Sequence, residues 1–183
     1  MNKGINDGAT PLWIASVGNH PEVVSLLLGN GADVNQAKDN GCTPLWIASY
    51  KGEAECVSLL LDNGADVNQA DNHGNTPLHA ASLRGWVRVC DLLLADSRVD
   101  VNKADNNGNT PLLIASLRGW ARVCDLLLAD SRVDVNKANN DGDTPLWMAS
   151  QYGNVEVVEM LLAREDIEIC LLYTSDAADD CRC

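Results

Sequence analysis

The sequence contains no phenylalanine, and only 4% of its 183 residues are aromatic. Leucine, valine, isoleucine, alanine and tryptophan must therefore fill any interior that the chain forms. Basic residues are also scarce, because 13 Lys and Arg stand against 26 Asp and Glu, which leaves a net charge of -13. This acidic balance argues against a surface that binds phosphate backbones regardless of sequence, so we expect no nucleic-acid partner.

Long apolar segments are absent as well. No apolar run approaches the roughly 18 residues that a membrane-spanning helix needs. The start of the chain, MNKGINDGATP, lacks the apolar core that is typical of a secretory signal. We therefore expect no membrane partner and a cytoplasmic or nuclear location.

What the sequence does contain is a recurring phrase, G-x-T-P-L-x-x-A-S. It begins at Gly8, Gly41, Gly74, Gly108 and Gly142, with spacings of 33, 33, 34 and 34 residues. A unit of this length can build one helical hairpin, but it cannot enclose a core of its own. The stability of each unit must therefore come from stacking on its neighbours.

Each unit carries the signals of two helices. The Thr-Pro pair predicts a helix start, since the threonine hydroxyl can accept a hydrogen bond from a backbone N–H and proline suits the first helical turn. Gly52, Gly85, Gly119 and Gly153 fit the left-handed position that ends this first helix, and Asn19 takes that place in the first unit. An apolar stripe such as Val23-Val24-Ser25-Leu26-Leu27-Leu28 then predicts a second helix with neighbours on most sides.

Together these motifs, D-x-x-G-x-T-P-L-x-x-A-x-x-x-G followed by V-V-x-L-L-L and G-A-D-V-N, resemble the ankyrin repeat. The resemblance covers residues 6–169 and implies an all-α fold, an ankyrin-repeat α-solenoid of stacked helix-turn-helix units with projecting hairpin loops. It also implies a concave surface that binds other proteins. The expected units are 6–37, 38–70, 71–104, 105–138 and 139–169.

The cysteines in the repeats follow the packing register. Cys90 and Cys124 take a position that is valine in other units, and Cys56 does the same at the neighbouring position. We interpret them as small buried hydrophobic residues, rather than as redox or metal-binding groups, since no C-x-x-C or Cys/His spacing occurs within the repeats. His73 and His79 are unpaired, and we read them as loop or structural residues. We expect no metal and no cofactor.

The fourth place of T-P-L-H, a histidine in the family, is tryptophan or leucine in four units and histidine only at His79. The family's imidazole hydrogen bond is therefore expected in one unit of five. The tryptophans either pack between adjacent first helices or form an aromatic ladder that is partly open to a partner. Trp86 and Trp120, at the start of two second helices, remain open between packing and exposure.

Units 71–104 and 105–138 differ at only four positions: His73/Asn107, His79/Leu113, Ala80/Ile114 and Val87/Ala121. This central region is electrically neutral, so the rest of the chain carries the whole negative charge. Arg84 and Arg118, at the predicted ends of first helices, are the best charged anchors for a partner. The alternative is that the arginines are solvated or paired, as in Arg88 with Asp91 and Arg122 with Asp125.

The candidate contact residues are those that vary between units along the first helices and loop tips. They are Trp46, Tyr50, Lys51, His73, His79, Leu83, Arg84, Asn107, Leu117, Arg118, Trp147, Gln151 and Tyr152. No nucleophile, base and orienting group recur together, and no phosphate-binding loop is present, so we expect no enzyme activity.

Both ends interrupt the pattern. Residues 1–5 align with the middle of a unit and are interpreted as a truncated partial repeat. The segment CLLYTSDAADD within residues 170–183 resembles the translation of a sequencing-library adapter, so we interpret this tail as foreign to the protein. The alternative is a disordered acidic tail. The last second helix should then have an exposed apolar side at Val157, Val158, Leu161 and Leu162, and we expect it to fray.

The sequence thus favours a monomeric, non-catalytic module that binds a protein through its concave face and loop tips. The alternative is a targeting or regulatory segment of a larger enzyme, channel or ubiquitin ligase.

Overall fold

A computed structural model describes residues 7–169, and the two terminal segments interpreted above lie outside that range. The described residues contain ten helices and no strand, which confirms the all-α prediction. They form five hairpins, and each hairpin has a first and a second helix. In chain order the helices are α1 (Pro11–Val17), α2 (Pro21–Gly29), α3 (Pro44–Lys51), α4 (Ala54–Asp62), α5 (Pro77–Arg84), α6 (Val87–Ala95), α7 (Pro111–Arg118), α8 (Ala121–Leu128), α9 (Pro145–Gln151) and α10 (Val155–Leu162).

Every first helix begins as the Thr-Pro motif predicts. The hydroxyl of the preceding threonine accepts a hydrogen bond from the backbone N–H three residues later, and proline occupies the first turn. The helix ends are confirmed too. Gly52, Gly85 and Gly119 adopt φ values of +87°, +75° and +69°, a region that glycine enters without steric cost. Asn19, at φ +52°, is the one non-glycine residue of the described range with a positive φ.

The hairpins stack side by side. First helices pack against first helices and second against second, and the first helices approach one another more closely. Small buried residues explain the close approach, since Ala48, Ala81 and Ala115 are fully buried at equivalent positions. The first helices are therefore the more tightly packed layer of the stack.

Both layers of helices contribute leucines to the core, and the second helices do so at one repeating position. One leucine in each of the last four, namely Leu60, Leu93, Leu127 and Leu161, is completely buried. Cys56, Cys90 and Cys124 are buried beside them as free thiols, which agrees with their interpretation as packing residues. Burial in apolar surroundings raises the pKa of Cys90 and of Cys124 to about 12, so both stay protonated and unreactive.

Asparagine side chains tie neighbouring hairpins together. Asn102 donates through Nδ2 to the carbonyl of Arg132 at 2.7 Å and accepts through Oδ1 from the backbone N–H of Asp134 at 2.8 Å. Asn68 and Asn136 make the same pair of bonds one repeat earlier and later. Hydrogen bonds between hairpins therefore recur with the same period as the apolar contacts of the core.

The expectation of an exposed apolar side on α10 is only partly right. Leu162 is 47% exposed, but Val157 and Leu161 are buried because they lie on the side of α10 that faces α8 and α9. Ile167, beyond the helix, also packs against this cluster. Fraying of α10 stays a prediction.

Candidate partner-binding surface

Three consecutive first helices each have a positively charged residue at their C-terminal end. Lys51, Arg84 and Arg118 are the last residues of α3, α5 and α7, and each stands directly before a left-handed glycine. All three are exposed. We call them the cationic row.

No residue of the cationic row has a carboxylate within 4 Å, whereas most of the other arginines in residues 7–169 do. Four other arginines are paired with an aspartate: Arg88–Asp91, Arg98–Asp96, Arg132–Asp130 and Arg164–Asp166. The pairs with Arg98, Arg132 and Arg164 use an aspartate two residues away. The suggested pair of Arg122 with Asp125 does not form, although the equivalent Arg88–Asp91 pair does, at 2.8 Å. The cationic row is therefore free to bind an anion.

Aromatic rings hold part of the row in place. The rings of Trp46 and Tyr50 stack with centroids 5.4 Å apart and planes within 10°. The Arg84 guanidinium lies over the Tyr50 ring, 5.1 Å from its centroid. Such a cation–π contact is worth about 0.5–1 kcal/mol at an exposed site, so it orients Arg84 without occupying its hydrogen-bond donors. The structure thus brings together Trp46, Tyr50 and Arg84, whose role in binding a partner stays a prediction.

Trp86 and Trp120 lie beside this row and answer the question that the sequence left open. The indole Nε1 of Trp86 donates to the carbonyl of Tyr50 at 2.9 Å, and that of Trp120 donates to the carbonyl of Leu83 at 3.1 Å. Each ring covers a glycine of the preceding hairpin, yet 39% of Trp86 and 42% of Trp120 remain exposed. Both tryptophans therefore pack against a neighbour and also offer apolar surface. One sequence signal pointed to this packing: each tryptophan directly follows the left-handed glycine of its own hairpin, Gly85 or Gly119, and so occupies the same position in its unit.

The unit of Trp46 lacks the imidazole hydrogen bond, as expected, but its indole makes an equivalent cross-repeat bond. The ring nitrogen Nε2 of His79 lies 3.0 Å from the carbonyl of Asn109, and Nε1 of Trp46 donates to the equivalent carbonyl of Asn75 at 2.9 Å. An indole N–H can thus replace the imidazole N–H, because both reach the residue before the next threonine. Trp13 does not do so, since its buried Nε1 has no partner.

His79 itself is not available to a partner, which corrects its place among the contact residues. Its side chain is only 1% exposed, and its Nδ1 accepts a hydrogen bond from the backbone N–H of Thr76 at 3.1 Å. Burial lowers the pKa of this imidazole and keeps it neutral. Its role is therefore to cap α5 and to tie two hairpins together.

The remaining candidates in the central units lie in two rows, at opposite ends of the first helices. His73 and Asn107 lie exposed at loop tips before α5 and α7, whereas the cationic row lies at the far ends of these helices. An eight-residue helix separates its ends by about 12 Å. Leu83 and Leu117 are partly buried beside the cationic row, and Trp147, Gln151 and Tyr152 are exposed on the last hairpin.

The loop tips are linked by their own ladder of backbone bonds. The N–H of Asn106 donates to the carbonyl of His73, and that of Asn140 donates to the carbonyl of Asn107, each at 3.0 Å. Side-chain amides of Asn72, Asn106 and Asn140 add further bonds to the preceding loop. The tips are therefore rigidly spaced, but much of their polarity is already satisfied within the stack.

One surface depression of about 430 Å³ lies elsewhere, between α2 and α4, and is lined by Pro21, Glu22, Ser25, Leu26, Glu55 and Leu59. It is an open groove on the outer helices and holds no histidine, cysteine or cation. Within residues 7–169, no cluster of His, Cys, Asp and Glu side chains has the arrangement of a metal site. Over the same residues, every helix is too short or too polar to cross a bilayer.

Comparison with known proteins agrees with this architecture. A search of curated proteins returned no significant match. A family model described as an ankyrin repeat matches residues 7–39, and a model of three ankyrin repeats matches residues 33–105 and 87–171. Domains of this kind generally mediate protein–protein interactions and are typically non-catalytic. The matches together span all five stacked hairpins, and we conclude that this chain belongs to the ankyrin repeat family.

Proposed function

We propose that the chain is a non-catalytic module that binds a protein partner along the cationic row and the two tryptophans beside it. The main support for this proposal is that the cationic row has no carboxylate partner, whereas four other arginines do. In a chain with a net charge of -13, three aligned cations stay without a carboxylate, and two indoles next to them stay about 40% exposed. Aromatic residues and arginine dominate the energetics of protein interfaces, so this row has the composition of a binding surface.

The module acts in the cytoplasm or nucleus as a monomer, with the loop tips as a second contact row. As an alternative, the same surface serves a segment that targets or regulates a larger enzyme, channel or ubiquitin ligase. Whether the gene encodes an enzyme, channel or ubiquitin-ligase domain beside these repeats distinguishes the two possibilities.

A displayed library of random peptides tests the proposal without knowledge of the natural partner. Peptides selected on the intact chain should lose binding to the Arg84→Gln and Arg118→Gln variants. Arg98→Gln is the control. Arg98 is also an exposed arginine, but it follows the C-terminal end of α6, whereas Trp86 and the cationic row lie near the N-terminal end of that helix. Selected peptides that bind all three variants equally would show that the cationic row is not the binding surface.

A further inference from the structure

We infer that the partner of the cationic row is an acidic peptide in the polyproline II conformation, with a carboxylate at every third residue. This inference rests on the proposed function and specifies the chemistry of the ligand. It follows from three features of the row, namely its charge, its spacing and its aromatic borders.

The charge of the row calls for carboxylates from another molecule. Arg88, Arg98, Arg132 and Arg164 all find an aspartate within their own hairpin. The row is the place where three cations in consecutive units are left without one. Guanidinium groups bind carboxylates with two parallel hydrogen bonds, and Arg84 keeps its donors free for that purpose.

The spacing of the row limits the shape of the peptide. Adjacent packed helices lie about 8–10 Å apart, so we expect the helix ends that carry Lys51, Arg84 and Arg118 to recur at about that interval. A polyproline II chain has three residues per turn and rises about 3.1 Å per residue, which puts every third side chain on one face at about 9.3 Å. In a β-strand, by contrast, side chains three residues apart point to opposite faces. The polyproline II conformation therefore aligns successive carboxylates with successive hairpins.

The aromatic borders suit the same ligand. Trp86 and Trp120 use their N–H groups within the stack, so they offer ring surface rather than hydrogen bonds. Aromatic-lined grooves bind proline-rich segments because the polyproline II chain is already extended and loses little entropy on binding. The proline rings of the peptide would contact the exposed indoles between the charged positions.

A single-stranded nucleic acid could also use cations and aromatic rings. The overall charge of -13 disfavours it, because a polyanion carries far more negative charge along its length than a peptide with three carboxylates. The two ligands can be separated directly, and the nucleic acid is therefore included in the test.

The experiment measures fluorescence anisotropy of labelled nonapeptides with the intact chain. EPPEPPEPP should bind, whereas QPPQPPQPP, which lacks the charges, and EEEPPPPPP, which has the same composition with the wrong spacing, should bind more weakly. Lys51→Gln, Arg84→Gln and Arg118→Gln should each weaken binding of the first peptide by about two- to five-fold, as expected for exposed ion pairs. Arg98→Gln should leave it unchanged, and added salt should weaken it.

Equal binding of the three peptides, or equal binding by the variants and the wild type, would overturn the inference. Tighter binding of oligo-dT through the same three residues would also overturn it, because the row would then recognise phosphate. The peptide library distinguishes failure of the two proposals. Selected sequences that depend on Arg84 but carry no acidic residues would refute the acidic ligand and leave the protein-binding function intact.

Discussion

The units 71–104 and 105–138, which contain the hairpins α5–α6 and α7–α8, differ at four positions, so they form a natural comparison within one chain. His79 in the first accepts a hydrogen bond from the N–H of Thr76 and reaches the carbonyl of Asn109. Leu113 in the second is equally buried and makes no polar contact through its side chain. The threonine cap persists in both, because it uses the backbone N–H of the variable residue.

The position next to His79 and Leu113 also differs between the two units. Ala80 of the first unit corresponds to Ile114 of the second, and both are buried. His73 and Asn107 are exposed at the loop tips, where either residue is tolerated. The structure does not explain the difference between Val87 and Ala121. The interface between hairpins therefore accepts a polar tie or an apolar contact at the same place, provided that the helix cap is kept.

The largest effect tests whether the two hairpins share one core. We expect Leu93→Ala and Leu127→Ala each to lower the free energy of unfolding by about 2–5 kcal/mol, because both side chains are fully buried and leave a cavity. Urea denaturation measures this loss. Leu26→Ala is the control, since Leu26 is 67% exposed and its loss should cost less than about 0.5 kcal/mol. A loss below 1 kcal/mol at either buried leucine, or a large difference between the two, would contradict a continuous core.

A second test separates backbone strain from contact between hairpins. Gly85, Gly119 and Gly153 have similar positive φ values, so alanine should cost about 1 kcal/mol at each from the backbone alone. At Gly85 an added Cβ would lie 2.8 Å from the Trp120 ring, at Gly119 it would meet the Asn154 side chain, and at Gly153 it would meet nothing. We therefore expect Gly85→Ala and Gly119→Ala both to be more destabilising than Gly153→Ala, as measured by thermal unfolding.

The double variant Gly85→Ala with Trp120→Ala provides the control for that series. Removing the ring should reduce the added cost of Gly85→Ala to the value measured for Gly153→Ala. If that cost stays the same without the ring, the indole does not explain it.

The third test converts one hairpin toward the other. His79→Leu copies Leu113 and should cost about 1 kcal/mol at pH 8, the net worth of a typical hydrogen bond. Burial lowers the pKa of His79 below its ordinary value of 6.5, so the unfolded chain binds the proton more readily than the folded chain. The contribution of His79 is therefore complete above about pH 6.5 and is lost as the pH falls toward the folded pKa.

Chemical denaturation of the wild type and of His79→Leu between pH 5 and pH 8 measures this linkage. The difference in unfolding free energy between the two should shrink as the pH falls. Parallel stability curves would mean that His79 is protonated equally in the folded and unfolded states, contrary to its burial.

The smallest effect concerns the surface. Arg88 pairs with Asp91 at 2.8 Å, whereas Arg122 at the equivalent position has no such pair. Arg88→Ala should lower the free energy of unfolding by less than about 0.5 kcal/mol, and Arg122→Ala should change it even less. Raising the salt concentration should remove the difference between the two variants. A persistent difference at high salt would show that the ion pair is not its cause.

Much of the fold could be predicted because its signals are local. The Thr-Pro helix starts, the left-handed glycines and Asn19 depend on backbone geometry within a few residues, and the structure confirms them. The burial of Cys90 and Cys124 was also predictable, because their register places them among valines. The repeat period then implies the stack.

The candidate surface was less predictable because it depends on contacts about 30 residues apart. Trp46 recovers a hydrogen bond that its motif suggested was lost, by reaching Asn75 in the next hairpin. His79 was placed among the contact residues, but the next hairpin covers it. Trp86 turned out to be both packed and exposed, which a choice between the two could not anticipate.

The amino-acid sequence by itself determined the repeat, the helix starts and ends, the acidic charge and the apolar register of the core, since each of these follows from composition, local backbone preference or apolar periodicity. Only the tertiary structure decided which polar groups are already satisfied by a neighbouring hairpin and which cations are left unpaired. The physical reason is that hydrogen bonds and ion pairs depend on distances of a few ångströms between residues that only stacking brings together.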